Sequence, residues 1–175
     1  MKPVLTIGVV LGLAALVSSC SQNDPPLATV TDLDLGRYSG TWHEIARLPN
    51  RFEKNVVAAT ARYDLKKTGD LTVRNDGLKA DGTRTSIEGR ATPVGPGKLK
   101  VRFNRFPANL FAGNYWVLWV DPSYQKAVVG DPGRKFLWLL SKDPASQTED
   151  FAKPVEQAKA SGFETERLFE NPKRL

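Results

Sequence analysis

Eight short segments rich in apolar residues recur along the chain, most of them with apolar and polar residues in alternation, and turn residues such as Pro-Asn, Asp-Gly and Asp-Pro lie between them. A period of two predicts β-strands that bury one face and leave the other in water. No long helical pattern separates the segments, so the chain is predicted to be all-β, as a sandwich or an up-and-down antiparallel barrel. The eight segments read TWHEIARL, VVAATARYDL, LTVRND, RTSIEGRATPV, KLKVRF, NYWVLWV, QKAVVG and KFLWLLS.

The alternation also assigns side chains to an inward face, on which aromatic residues mix with small ones such as Ala59, Ala61 and Gly89. This mixture predicts a cup that holds a small molecule, although a barrel of this size can also be filled by its own side chains. The inward set is predicted to contain Tyr63, Val73, Asn75, Ile87, Val101, Phe103, Tyr115, Val117, Phe136 and Trp138.

The segment NYWVLWV is apolar on both faces, so each face needs its own cover. Strict alternation places Tyr115, Val117 and Trp119 inward, with Trp119 nearest the closed end. Trp116 and Leu118 then point outward, and we expect a helix to cover them.

A helix from about residue 148 to 161 is the predicted cover. Its apolar stripe consists of three residues spaced about one helical turn apart, Phe151, Val155 and Ala158. Ser146 and Glu149 have the spacing of a capping box, and Gly162 suits the helix end. Pro154 predicts a late start or a kink. The segment TERLFE that follows is a candidate ninth strand.

Residues 1–19 have the pattern of a signal peptide, with one basic residue and an apolar run shorter than a typical membrane span. The residues LVSSC resemble a bacterial lipobox, in which Cys20 becomes the first mature residue and carries acyl chains such as palmitate. The alternative is an ordinary cleavage site with an incidental cysteine. Residues 20–34 are then the lipidated cysteine and a polar tether, and residues 35–175 form one barrel domain.

Composition argues against several classes of function. The net charge of +6 comes from scattered residues without a concentrated basic patch, which does not favour nucleic-acid binding. The chain has one cysteine and one histidine, His43. It therefore cannot form an internal disulfide, and it has few residues from which to build a metal site or a Ser/His/Asp catalytic triad. We therefore expect no cofactor, no metal and no enzymatic activity.

Three stretches, DLGRYSGTWHEIARLPNRFE, NYWVLWVDPSY and FLWLLSKDP, resemble the three successive motifs of the lipocalin family, in particular its bacterial outer-membrane lipoproteins. The resemblance covers about residues 33–170. It implies an eight-stranded antiparallel up-and-down barrel with one C-terminal α-helix packed outside.

The resemblance also implies roles for individual residues. Trp42 would plug the closed end of the barrel, and Lys142 would lie over it where the family has arginine. His43 is a second departure, since tyrosine is usual there. Lys79 would lie on the rim. Residues that match family pocket positions are Tyr63, Asn75, Phe103, Tyr115 and Trp138, and the alternation adds Val117 to this ligand-binding set.

The predicted function is that of a lipid-anchored lipocalin that binds, and stores or transports, fatty acids, lysophospholipids or similar amphiphiles. Its predicted place is the periplasmic face of the outer membrane, held there by Cys20, as a monomer or weak dimer. Two alternatives remain open at this point: a lipid-modifying enzyme on the same barrel, and an envelope interaction protein with a filled barrel.

Overall fold

The computed structural model describes residues 26–105 and 112–175, so the predicted signal peptide and Cys20 lie outside the described residues. All eight predicted strands are present, and the candidate ninth strand forms as a two-residue element. The strands β1 to β9 are Gly40–Arg47, Val56–Leu65, Leu71–Lys79, Arg84–Gly95, Lys98–Phe103, Gly113–Val120, Lys126–Gly130, Leu137–Ser141 and Phe169–Glu170.

The sheet closes on itself, which confirms the predicted barrel. Each strand from β1 to β8 pairs antiparallel with the next, and β1 also pairs with β8. Strands β1 to β4 are in a register that places Trp42 opposite Ala61, Ala61 opposite Asn75, and Asn75 opposite Ile87. Closure leaves no free edge among these strands.

The two ends of the barrel differ. At the closed end lie the short helix α1, Leu35–Tyr38, and the turns 66–70, 96–97 and 121–125. At the open end lie the connections 48–55, 80–83 and 131–136, which join β1 to β2, β3 to β4 and β7 to β8. Any ligand that enters the barrel must pass these open-end connections.

The predicted helix lies outside the barrel, as a 3-10 turn, Thr148–Phe151, followed by α2, Ala152–Ala160. Its stripe packs in an outer hydrophobic cluster against outward side chains of β1, β7 and β8 and against Leu118 of β6, which confirms the predicted cover for Leu118. Trp116, also predicted to lie under the helix, is not part of this cluster, and its ring contacts the ammonium of Lys98 instead. No helix in the described part of the chain is long and apolar enough to cross a membrane. The outer cluster contains Ile45, Ala46, Leu48, Leu118, Trp119, Val128, Leu137, Leu139, Phe151, Val155, Ala158 and Phe163.

The start of this helical segment differs from the predicted capping box by one residue. The backbone N–H of Gln147 donates to the carboxylate of Asp150 at 2.9 Å, whereas the hydroxyl of Ser146 is hydrogen-bonded to that of Ser141. Pro154 falls in the first turn of α2, where a backbone N–H has no partner within the helix. The proline is therefore compatible with the helix.

Strand β6 corrects the predicted position of Trp119. Tyr115 and Val117 point inward and Leu118 outward, as predicted, but the pairing with β7 shifts between Val117 and Trp119. Such a bulge adds a residue to one strand and reverses the faces beyond it. Trp119 consequently packs beside Leu118 in the outer cluster, and Val120 takes the inward position.

The C-terminal segment fills a gap between β1 and β2, which pair only over residues 40–43 and 60–63. Beyond that point, β9 pairs with β1 at Ala46 and Arg47. The N–H of Asn171 donates to the carbonyl of Ile45, and that of Lys173 to the carbonyl of Val57. The segment thus joins the two strands where they diverge.

Candidate ligand-binding site

The closed end is plugged by Trp42, which is fully buried and donates from Nε1 to the carbonyl of Tyr38 at 2.8 Å. The Lys142 Nζ lies 5.1 Å from the centroid of the Trp42 ring and donates to the carbonyls of Arg37 and Ser39 at 2.7 and 2.9 Å. Burial, and then the charge of Arg37, lower the pKa of Lys142. Lys142 thus covers the closed end of the barrel and is held there by hydrogen bonds to two backbone carbonyls.

Three tyrosines form a layer above this plug, called here the tyrosine floor: Tyr38, Tyr63 and Tyr115. The hydroxyls of Tyr38 and Tyr115 are 2.7 Å apart, and the ring of Tyr63 lies 5.6 Å from that of Tyr38 and 5.8 Å from that of Tyr115. Burial raises the pKa of all three phenols, so they stay neutral. Val117 is fully buried in the same inner cluster. The lower barrel is therefore packed.

Above the floor, inward side chains remain partly exposed and outline a cup. Across β2, β3 and β4, Ala61, Asn75 and Ile87 stand side by side. The amide oxygen of Asn75 is buried, and no donor among the described residues reaches it. A buried acceptor without a partner costs free energy, so it is a natural contact for a ligand N–H or O–H. The cup consists of Ala61, Asn75, Ile87, Phe103 and Trp138.

Aromatic rings continue from the cup to the mouth. Trp138 is stacked on Phe136, with centroids 5.7 Å apart, and Phe136 lies 5.8 Å from Phe52 in the β1–β2 connection. The indole Nε1 of Trp138 donates to a carboxylate oxygen of Glu53 at 3.1 Å. Lys79 ends β3 at this same open end, where its side chain is partly buried.

Next to Trp138 lies a polar cluster of Glu44, Arg47, Glu53 and Asn171, in which Arg47 stands opposite Trp138 in the β1–β8 pairing and only Glu53 is partly exposed. Arg47 Nη1 donates to Glu44 at 2.7 Å and to the Asn171 side chain at 2.6 Å, and Nη2 donates to the carbonyl of Val56. Burial, and then the Glu53 carboxyl, raise the pKa of Glu44 well above its usual range, against the opposing effect of Arg47. Arg47 thus fastens β1 to the C-terminal segment and to the start of β2.

A groove of about 1500 Å³ lies mostly against the outer face of β2 to β5, and of the cup residues it touches only Phe103 and not Asn75 or Trp138. Its lining is rich in arginines and carboxylates that pair with one another, such as Arg62 with Asp64 and Arg74 with Asp76. An acyl chain would have to desolvate these charges, so the inner cup suits an apolar ligand better.

The sequence-predicted ligand residues divide between three levels of the barrel. Tyr63, Tyr115 and Val117 lie in the packed floor region, whereas Asn75, Phe103 and Trp138 lie in the cup and Lys79 at the mouth. Alternation missed Tyr38, because α1 has no strand pattern, although its spacing of four residues before Trp42 was a local signal. It also missed Glu53, whose carboxylate holds the Trp138 indole.

The described residues offer little for catalysis or metal binding. His43 lies near the C-terminal Leu175, and burial lowers its pKa. Its neighbour Glu44 is engaged by Arg47 and Asn171 and forms no dyad with it. Within residues 26–105 and 112–175, no group of His, Cys, Asp and Glu side chains is arranged to hold a metal ion.

A closed antiparallel barrel with a plugged base, an open cup and an external helix defines the class of cup-like eight-stranded barrels. Within this class, a lipocalin-like domain model matches residues 33–173. The chain therefore belongs to the lipocalin family, as its motifs predicted.

Similar proteins come from distant organisms. Temperature-induced lipocalin-1 of Arabidopsis thaliana is 38% identical over 154 residues, which are 83% of this chain and 82% of that protein. Outer membrane lipoprotein Blc of Escherichia coli is 36% identical, with 89% of each chain covered. Apolipoprotein D of Macaca fascicularis is 34% identical over 71% of this chain and 69% of its own.

The fold comparison agrees. Insecticyanin from the tobacco hornworm Manduca sexta superposes with a TM-score of 0.67 at 23% identity, covering 85% of each chain. At this identity the similarity shows the fold alone.

Proposed function

We propose that this protein binds a single-chain amphiphile, such as a fatty acid or a lysophospholipid, in the cup above the tyrosine floor. One observation carries the proposal: buried inward side chains such as Tyr38, Tyr63 and Val117 give way to partly exposed and mainly apolar ones in the cup, where no described residue donates to the amide oxygen of Asn75. The barrel is the usual scaffold of lipocalins, which are in general binding and transport proteins for hydrophobic molecules.

The floor sets how much of a chain the protein encloses. Each buried methylene contributes ~0.8 kcal/mol, so a segment of about eight carbons gives roughly 6 kcal/mol before the costs of binding. A hydrogen bond to Asn75 and a contact between Lys79 and an anionic headgroup would orient the ligand more than hold it. The cup is therefore expected to select amphiphiles as a class and not an acyl chain of one particular length.

Filling the cup tests the proposal. Ala61→Phe places a ring between Trp42 and Asn75, and we expect it to weaken binding of a fluorescent fatty acid by about tenfold or more, while overpacking costs about 1–3 kcal/mol of stability. Ala61 is chosen because it is partly exposed, whereas Val117 is fully buried. Probe titration and thermal unfolding measure the two effects separately.

Arg62→Phe is the matched control, because it introduces the same ring at the next residue of the same strand on the outer face. Equal probe binding by the Ala61→Phe variant and the parent would contradict the cup. An envelope interaction protein whose barrel is filled by its own side chains is one alternative, and it predicts that no amphiphile co-purifies. Native mass spectrometry of the purified protein tests this prediction.

We further propose that Cys20 is lipidated and holds the protein at the periplasmic face of the outer membrane. The support is the LVSSC sequence and the similarity to a relative named as an outer membrane lipoprotein. Cys20→Ala should release the protein from the membrane fraction or leave it unprocessed, as cell fractionation would reveal. Unchanged membrane association, with no acyl group on Cys20 by mass spectrometry, would refute the anchor.

The enzyme alternative has less support. His43 stands opposite Thr60, on the face of β1 opposite to that of Trp42, and close to Leu175, and Glu44 is committed to Arg47. Turnover of a co-purified amphiphile, followed by mass spectrometry over time, is the result that would favour an enzyme over a binding protein.

A further inference from the structure

Phe52 is an exposed aromatic side chain at the open end of the barrel. It lies in the connection between β1 and β2, and 67% of its surface is exposed. Its only described ring neighbours form the series that passes through Phe136 to Trp138 in the cup. An apolar surface therefore runs without a break from the solvent into the candidate binding site.

Cationic side chains lie on the same open-end connection as this exposed ring or on the neighbouring one. The guanidinium of Arg51 lies 4.9 Å from the Phe52 ring centroid, and the exposed Lys54 and Lys135 are on the same two connections. The nearby carboxylates are engaged within the fold. Glu53 accepts from Trp138, and Asp131 accepts the backbone N–H groups of its own turn.

An exposed aromatic ring among lysines and arginines is the side-chain combination that binds the surface of an anionic bilayer. The ring enters the boundary between headgroups and acyl chains, and the cations contact lipid phosphates. A largely exposed phenylalanine ring is more stable in this boundary than in water, because its transfer removes apolar surface from the solvent. An anionic bilayer therefore complements the mouth of the barrel: its acyl region accepts the apolar ring, and its phosphates carry the charge opposite to that of the lysines and the arginine.

We propose that the open end docks directly on an anionic phospholipid bilayer, with Phe52 inserted and with Arg51, Lys54 and Lys135 on the phosphates. An amphiphile then moves between bilayer and cup along the rings of Phe52, Phe136 and Trp138. This path rests on the proposed function, whereas docking itself does not. Docking is also separate from the anchor at Cys20, because it uses the folded mouth of the barrel and no acyl chain.

Vesicle binding by a chain that begins at Ser21 tests docking without the acyl anchor. Such a chain retains both hydrophobic clusters, whose members lie within residues 27–168. The probes are vesicles of phosphatidylcholine with phosphatidylglycerol, and vesicles of phosphatidylcholine alone. We expect Phe52→Ala to weaken binding to the anionic vesicles about tenfold, and Arg51→Gln to weaken it about fivefold in a salt-sensitive manner.

Two matched controls come from the other end of the barrel. Val94 is an apolar residue with 53% of its surface exposed near the β4–β5 turn, and Lys67 is an exposed lysine in the β2–β3 turn. Val94→Ala and Lys67→Gln should bind the vesicles as the parent does. Equal losses in these controls, or parental binding by Phe52→Ala, would overturn the proposal.

Two further measurements separate bilayer docking from self-association and from ligand binding. If Phe52→Ala changes the sedimentation coefficient but not vesicle binding, the occupant of the mouth is a second copy of the chain, and bilayer docking is refuted. Fluorescent fatty-acid titration without vesicles reports on the cup alone. If the parent binds vesicles but not the probe, docking holds while the proposed function fails.

Discussion

Arg47→Ala is expected to lower the free energy of unfolding by about 3–5 kcal/mol, because removal of one member of a buried ion pair leaves the other charge without compensation. Arg47 is the single cation between the carboxyls of Glu44 and Glu53 among the contacts described for this cluster. Its guanidinium also satisfies the carbonyl of Val56 and the side chain of Asn171. Urea unfolding followed by circular dichroism measures the loss.

The loss should depend on pH. Burial already raises the pKa of Glu44, and without Arg47 that pKa rises further. A protonated Glu44 needs no cation, so the destabilisation by Arg47→Ala should be smaller at low pH and should grow as the pH rises above the raised pKa that Glu44 has in the parent. Arg62→Ala, which removes an exposed ion pair with Asp64, is the control and should leave the unfolding midpoint in place. A loss independent of pH would contradict this account of the cluster.

Trp42→Ala is expected to cost about 3–5 kcal/mol, as for other large aromatic residues removed from a core. The substitution deletes the plug between the tyrosine floor and Lys142, and it leaves the carbonyl of Tyr38 without its indole donor. The Tyr38 ring, whose centroid is 4.8 Å from that of Trp42, would lose its support.

Trp116→Ala is the control for this prediction, because it removes the same side chain from the outer face. There the ring is only partly buried, and the described contact is the ammonium of Lys98, 4.3 Å from its centroid. Chemical unfolding of the two variants should give a much larger loss for Trp42→Ala. A loss below about 1 kcal/mol would mean that Trp42 does not close the barrel.

The strands were predictable because one wet face and one dry face leave a period of two in the sequence, as in KLKVRF. The bulge in β6 was not. Tyr115 to Val120 are apolar on both faces, so a one-residue slip changes no polarity, and Trp119 could equally face in or out. The face on which Trp119 lies depends on the helix α2, which packs against the outer wall and contributes to the cluster that contains this indole.

The site was predictable in part for a related reason. Periodicity finds side chains that share a face of one element, and it placed Asn75, Phe103 and Trp138 on the inner wall. It cannot find Tyr38, which reaches Tyr115 from α1, or the bond between Glu44 and Asn171 across 127 positions. Such contacts depend on how the barrel closes, which no local pattern contains.

The pairing of the last strand with the first has a consequence for the order of folding. Strand β1 needs β2, β8 and β9 as neighbours, and Asn171, which donates to the carbonyl of Ile45, lies far from it in sequence. Contacts between residues so distant in sequence form late and slow the overall rate. Hairpins such as β2–β3 can form from local contacts, but β1 keeps an open edge until residue 171 arrives. Completion of the barrel is thus tied to the arrival of the segment that follows α2.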